Sequence, residues 1–340
     1  MNRVAIAGMQ AMMVRILKIQ GTASLAGRGS RVASPWRSGF GITACRVLAF
    51  GLWVLLGTVS AQGGTVPDML GRPVTIPDGP LRLVSLSPSL TEIVYALGRE
   101  DWLVGVTDFC DYPPAARGKP RVGGTITPNL ERVLQVRPSL VLATAEGNPR
   151  DLVGQLTRVG IPIFALKPEG YAGILDSIRL LGRLLQAEAP AAALVRAMDE
   201  QADRIHRAVA GRPRPRVLYL VWSDPAIAAG PASFIHDLIR IAGGENVVRE
   251  PTVPYPRVSL EEVVARAPEV ILVASHLDAM DRPATITLGG LWREIPAVRS
   301  NRVVPVPGDT IHRFGPRVVE GLGHIARAIH PEAFGQAERP

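Results

Sequence analysis

Three aromatic side chains and one charged pair stand where a binding cleft could use them. Tyr112 precedes two prolines after a predicted strand, Tyr255 lies between two prolines, and Trp222 ends another predicted strand. Asp309 and Arg313 add a charged pair near the C-terminus. Because α/β folds bind ligands at the carboxyl ends of their strands, these residues predict a cleft for a flat, partly apolar ligand.

The sequence lacks the motifs of several enzyme and metal-binding classes. The glycines near 243 and 315–323 do not have nucleotide-binding spacing, and there is neither Gly-x-Ser-x-Gly nor His-Glu-x-x-His. All six histidines lie at position 206 or beyond, which disfavours a naked metal ion held between two lobes. We therefore expect no catalytic residue, no metal ligand and no cofactor.

An enzyme is the alternative from another functional class. Asp111 and Asp309 could face each other across a cleft as general acid and base. Nothing in the sequence activates a nucleophile, so binding without chemistry is the favoured interpretation.

The elements that would position these residues alternate along the chain. Predicted strands at 81–86, 104–107, 140–143 and 161–165 alternate with helices, and the alternation restarts at 217. Between these two parts, residues 171–209 have apolar side chains at helical spacing, with Pro190 separating two helices. This order predicts two similar α/β lobes with mainly parallel sheets, joined by a long interlobe helix.

Changes in composition predict five regions. They are a leader at 1–61, an exposed N-terminal stretch at 62–80, an N-terminal lobe at 81–187, an interlobe helix at 188–212 and a C-terminal lobe at 213–340. The prolines at 213 and 215 mark the end of the interlobe helix.

The leader accounts for most of the positive charge. The formal net charge is +8, yet positions 1–61 hold seven basic residues and no acidic one, so the remainder is nearly neutral and nucleic-acid binding is not expected. An apolar run at 47–59 ends in Val-Ser-Ala, as in a cleaved secretory signal. The basic region is unusually long, which either a start codon assigned too early or an uncleaved anchor would explain.

A segment of the first lobe recurs in the second. Leu-Glu-Arg-Val at 130–133, then Pro138 and an apolar strand, matches Leu-Glu-Glu-Val at 260–263, then Pro268 and an apolar strand, at a constant offset. Each copy places one glutamate, Glu131 or Glu261, in the first turn of a helix. The helix dipole alone favours an acidic residue at that place. The repeat therefore shows that the two glutamates occupy equivalent positions, but it does not by itself indicate that they bind a partner.

The chain resembles the cobalamin- and iron-chelate-binding proteins of ABC importers, the class with a rigid interlobe helix. The likeness extends over about 81–334 and depends on five motifs: LVSLSPSLTE at 83–92, DYPP at 111–114, NLER at 129–132, GGEN at 243–246 and VSLE at 258–261. It implies an extracytoplasmic, monomeric binding protein with a permease and an ATPase as partners.

The resemblance also implies roles for individual residues. Glu131 and Glu261 match two glutamates that pair with arginines of the membrane subunits. Tyr112 and Tyr255 match aromatic positions that face a corrin ring, and Asp309 and Arg313 match a polar pair at the rim of the pocket.

Two positions depart from the vitamin-binding branch of that family. Thr125 and Thr144 stand where this branch has further tryptophans. Their small side chains widen the expected pocket, so another corrinoid, haem or a ferric siderophore stays open beside cobalamin. A sensory module that binds ligand without transport is a further alternative.

Overall fold

A computed structural model describes residues 64–145, 147–223, 225–275 and 290–335. These ranges belong to one compact unit, Ala61–Pro340. The predicted leader, 1–61, lies outside the described residues. Within the described ranges, no helix combines the length and the apolar character that crossing a membrane requires.

The first lobe is built on a four-stranded sheet. The strands are β3 (Leu83–Ser85), β4 (Leu103–Val106), β5 (Leu140–Thr144) and β6 (Ile163–Leu166), all parallel, in the order β4-β3-β5-β6. Helices α1 (Pro88–Ala96), α2 (Leu130–Gln135) and α3 (Arg150–Arg158) connect them, with 3₁₀ turns at Glu100–Trp102 and Pro114–Gly118. All five residues of β5 are buried, as expected for a parallel strand covered on both faces.

A hairpin precedes the first lobe and packs onto it. Strands β1 (Thr65–Pro67) and β2 (Pro73–Thr75) pair antiparallel, and the Asp68 carboxylate bonds the backbone N–H groups of Leu70, Arg72 and Ala165. Asp68 and Val74 are buried. From residue 64 onward, the stretch 62–80, predicted to be exposed, is therefore partly buried where the hairpin reaches the open edge of β6.

Two long helices lead from the first lobe to the second. They are α4 (Gly170–Leu184) and α5 (Glu188–Val209), and they cross closely where Gly182 faces Ala191. The predicted interlobe helix at 188–212 begins where expected and ends at Val209, ahead of Gly211, whose φ is +74°. At 22 residues, α5 is about 33 Å long.

The second lobe is built on a five-stranded sheet. Strands β7 (Arg216–Ser223), β8 (Ala226–Ala228), β9 (Glu245–Asn246), β10 (Val270–Ser275) and β11 (Val303–Pro307) form the order β11-β10-β7-β8, with β9 also beside β7. All pairings are parallel except β7–β8. The helices are α6 (Phe234–Ile241), α7 (Leu260–Arg266), α8 (Pro296–Arg299), α9 (Gly308–Ile311) and α10 (Val318–Ile329), with 3₁₀ turns at Gly290–Glu294 and Pro331–Ala333. The predicted class, two α/β lobes with mainly parallel sheets, is confirmed.

Candidate functional site

A charged cluster joins the two lobes at the carboxyl ends of their strands. Arg313 of the second lobe places Nη1 2.7 Å from Asp111 Oδ1 and 3.2 Å from Glu92 Oε1, both in the first lobe. Its Nη2 lies 3.2 Å from Oδ1 of Asp309, one helical turn earlier. The structure thus brings together the predicted pair Asp309 and Arg313 and gives Arg313 two partners across the lobes.

Glu92 is the buried centre of this cluster. Its side chain is 2% exposed and also accepts hydrogen bonds from Arg317, with Nε 3.0 Å from Oε2 and Nη2 2.7 Å from Oε1. Close backbone packing allows this approach, because Gly315 has no side chain and lies against Glu92 and the carbonyl of Ser89. We call Glu92, Asp111, Asp309, Arg313 and Arg317 the interlobe cluster.

Tyr112 extends the interlobe cluster with an aromatic face. The guanidinium carbon of Arg317 lies 3.9 Å from the centre of the Tyr112 ring, a cation–π contact. The ring is 43% exposed, so part of its surface is open to a ligand. Arg317, which the sequence did not single out, connects Tyr112 to Glu92.

The loop that presents Asp111 and Tyr112 follows β4 and is fixed from within the first lobe. Arg121 Nη1 donates to the backbone carbonyls of Thr107 (2.6 Å) and Cys110 (3.0 Å). The Cys110 thiol is buried between the hydroxyls of Thr91 and Thr107, each 3.1 Å from Sγ, and burial raises its pKa. Cys110 therefore has a packing role beneath the loop.

Asp111 carries its negative charge at neutral pH. Partial burial acts against the charged form, but the hydrogen bond and charge of Arg313 outweigh it and hold the Asp111 pKa below its ordinary value. Burial likewise opposes the charge of Arg313, and its carboxylate partners raise the Arg313 pKa. Arg313 bonds both Asp111 and Asp309 and disfavours protonation of Asp111. This arrangement argues against the hypothesis that the two aspartates act as general acid and base.

Tyr255 neighbours Tyr219, which in turn bonds the residue before Arg313. Burial and the neighbouring Tyr255 raise the pKa of Tyr219, which is fully buried on β7. The Tyr219 hydroxyl lies 3.0 Å from Nε2 of His312, the residue before Arg313. The loop of Tyr255 is pinned by the carbonyls of Pro254 and Pro256, which accept from Gly230 and Ala228.

Trp222 lies near the end of β7 and is 54% exposed. β8 pairs with β7 beside it, in register Trp222 to Ile227. The structure therefore places a large aromatic surface at the carboxyl end of a second-lobe strand, as the sequence pattern predicted.

The two threonines that depart from the vitamin-binding pattern lie at one junction of the first lobe. Asn148 accepts from the backbone N–H of Thr144 (2.7 Å) and donates to the Thr125 carbonyl (2.8 Å) and the Leu86 carbonyl (2.9 Å). Thr144 is buried and ends β5. Small side chains in a hydrogen-bonded corner occupy the two positions.

The two glutamates of the repeat begin helices that are built alike. Asn129 caps α2 by accepting from the N–H of Arg132 at 2.9 Å, and Ser259 caps α7 by accepting from the N–H of Glu262 at 3.2 Å. Both helices are followed by a residue of positive φ, Arg137 after α2 and Ala267 after α7, each at +46°.

Glu131 and Glu261 are exposed, whereas their neighbour Glu262 is engaged within its own helix. Glu262 pairs with Arg266 at 2.5 Å. Across the described residues, neither Glu131 nor Glu261 has an ion-pair or side-chain hydrogen-bond partner. The repeat therefore places in each lobe an equivalent exposed carboxylate that is available to a partner.

Metal binding by protein side chains has no candidate in the part of the chain that is described. No group of three or more histidine, cysteine, aspartate or glutamate side chains there could hold an ion. A metal carried inside a chelate needs no such group.

A family model and a curated relative both assign this chain to one family of binding proteins. The model of the periplasmic binding protein family matches residues 83–310, more than half of the chain. An ABC transporter substrate-binding lipoprotein of Bacillus subtilis, YvrC, is 31% identical over 79% of this chain and 86% of its own length.

Two solved structures have a similar fold. The periplasmic vitamin B12 binding protein BtuF of Vibrio cholerae matches with a TM-score of 0.65 and 27% identity, over 75% of this chain and 98% of that one. A periplasmic heme binding protein from Pseudomonas aeruginosa matches with a TM-score of 0.66 and 27% identity, over 74% of this chain and 94% of that one.

Proposed function

The chain belongs to the periplasmic binding protein family, and we propose that it is the substrate-binding component of an ABC importer. It captures a metal chelate, preferentially a corrinoid, between its lobes and delivers this chelate to the membrane permease. The observation that carries the proposal is the pair of exposed carboxylates, Glu131 and Glu261, at equivalent capped helix starts of the two lobes.

Capture requires a surface that suits a flat chelate. Tyr112, Trp222 and Tyr255 supply aromatic faces at or near the carboxyl ends of the strands, and Asp309 and Arg313 supply polar contacts at the rim. No covalent step is involved. The ligand is held by stacking and hydrogen bonds and leaves unchanged.

Delivery requires orientation of the loaded protein on the permease. Glu131 and Glu261 pair with arginines of the membrane subunits, and such rim charges set encounter rate and orientation more than affinity. The protein works as a monomer outside the cytoplasm, where the segment 1–61 directs it, with the permease and the ATPase as its partners.

Haem or a ferric siderophore is the second candidate cargo. The similarity to a periplasmic heme binding protein favours it, and so do Thr125 and Thr144, which leave out aromatic surface. A chelate-modifying enzyme is less favoured, because Arg313 holds both aspartates that could serve as acid and base.

Titration of purified residues 62–340 with cobalamin, cobinamide, haem and a ferric siderophore tests the capture step. We expect saturable one-to-one binding of at least one chelate, with cobinamide or cobalamin strongest, read by absorbance and calorimetry. Failure of all four to bind would overturn the proposal. A chemical change in the bound chelate would replace it with the enzyme alternative.

A further inference from the structure

The interlobe cluster has more negative than positive groups. Three carboxylates (Glu92, Asp111 and Asp309) surround two guanidinium groups (Arg313 and Arg317). Both guanidinium groups are largely buried, at 13% and 15% side-chain exposure. The two guanidinium charges are therefore fully neutralised, and the cluster carries one negative charge in excess.

Asp111 is the most accessible of the carboxylates that pair with Arg313. Among the three carboxylate partners of Arg313, its side chain is the most exposed, at 42% against 28% for Asp309 and 2% for Glu92. Asp111 also adjoins Tyr112, the half-exposed aromatic residue. A ligand that lies on Tyr112 would meet Asp111 before it could meet Arg313.

We propose that Asp111 is a specificity-determining residue that excludes carboxylate-bearing chelates and admits amide-bearing ones. The inference rests on the proposed function, since it names the class of chelate that the same cleft accepts. A ligand carboxylate gains Arg313 only by displacing Asp111, and it then adds another negative charge to a cluster in excess. A ligand amide can donate to Asp111 without releasing Arg313, because a carboxylate accepts several hydrogen bonds.

Two pairs of chelates isolate this effect, because each pair shares one ring and differs in its acidic side chains. The first pair is dicyanocobinamide, with amides, and dicyanocobyrinic acid, with free carboxylates. The second pair is haem dimethyl ester and haem. We expect the unmodified protein to bind the uncharged member of each pair at least about tenfold more tightly, the effect of one close charge at a half-exposed site.

The Asp111→Asn variant removes the charge and keeps the shape. We expect it to reduce that preference by about tenfold, mainly through tighter binding of the carboxylate member. The Asp176→Asn variant is the matched control, since Asp176 pairs with Arg179 at the same distance of 2.7 Å on the exposed face of α4. This control leaves the preference unchanged.

The outcomes distinguish a failure of the proposed role of Asp111 from a failure of the proposed function. Equal binding of both members of a pair by the unmodified protein, or a preference that Asp111→Asn does not alter, overturns the role of Asp111 and leaves capture of a chelate standing. Absence of binding for all four compounds overturns the inference, and the proposed function falls with it only if cobalamin and a ferric siderophore also fail to bind.

Discussion

At the residue scale, Glu92 connects the two lobes through a buried carboxylate. It belongs to α1 of the first lobe, and its buried carboxylate bonds two arginines of the second lobe. A buried carboxylate is tolerated only when it is paired and hydrogen-bonded, and here each of its oxygens accepts from an arginine. The lobes are thus connected through the interlobe cluster as well as through α4 and α5.

Replacing Glu92 should be strongly destabilising. We expect Glu92→Ala to lower the free energy of unfolding by about 3 kcal/mol, because it leaves two largely buried guanidinium groups short of a partner. Glu92→Gln should cost less, since its amide oxygen still accepts. Urea unfolding followed by circular dichroism measures both.

The control for Glu92 is an exposed ion pair. Asp176→Ala breaks a pair with side chains 65% and 44% exposed and should cost about 1 kcal/mol or less. Equal losses for Glu92→Ala and Asp176→Ala would contradict the role of Glu92 in holding the lobes.

Cys110 should be unreactive in the native protein. Its thiol is buried, and burial raises its pKa, so little thiolate forms and reagents cannot reach it. In residues 62–340 it is the single cysteine, so a thiol reagent such as DTNB should label native protein far more slowly than protein in guanidinium chloride. Labelling at the same rate in both conditions would show that the loop of Asp111 and Tyr112 is not packed as described.

Part of the candidate site could be predicted from residue types. The sequence predicted Tyr112, Asp309 and Arg313 as site residues because strand ends in an α/β lobe are recognisable from their loops. Glu92 and Arg317 could not be found this way. Their partners lie more than two hundred positions away in the sequence (Glu92 to Arg317 is 225 residues), and a buried acid in a first helix looks like any surface acid.

At the element scale, the crossing of α4 and α5 depends on one glycine. A Cβ at Gly182 would collide with the Cβ of Ala191. Gly182→Ala should therefore destabilise by about 1–3 kcal/mol through overpacking, despite the better helix propensity of alanine. Thermal unfolding measures the change.

At Gly154, unlike Gly182, the structure has room for a side chain. It lies within α3, and a Cβ there meets only the end of Arg158, 4.0 Å away. Gly154→Ala should stabilise by about 0.5–1 kcal/mol, because alanine loses less backbone entropy in a helix. A stabilising Gly182→Ala would show that the two helices can move apart freely.

The repeat was the most informative element-scale pattern in the sequence. It predicted that Glu131 and Glu261 begin equivalent helices, and the structure shows matching caps and matching helix ends. The hairpin at 65–75 was harder to place, because its attachment depends on Asp68 bonding the edge of β6 nearly a hundred residues away. Composition alone favoured exposure there.

At the scale of the whole molecule, two lobes built on mainly parallel sheets present equivalent exposed carboxylates, Glu131 and Glu261. The order of strands and helices was sufficient to predict this architecture, since alternating short apolar strands and helices permit few other folds. The cargo follows less directly from sequence. The selection that we propose depends on the charge balance of the interlobe cluster, which forms only when the two lobes meet.

Uptake with altered docking residues tests delivery to an importer most directly. In cells that lack the native copy, we expect Glu131→Ala combined with Glu261→Ala to abolish uptake of the bound chelate while the purified variant binds it with unchanged affinity. The matched control is Glu262→Ala, which alters the adjacent glutamate that already pairs with Arg266 and should leave uptake intact. Normal uptake by the double variant would contradict the account.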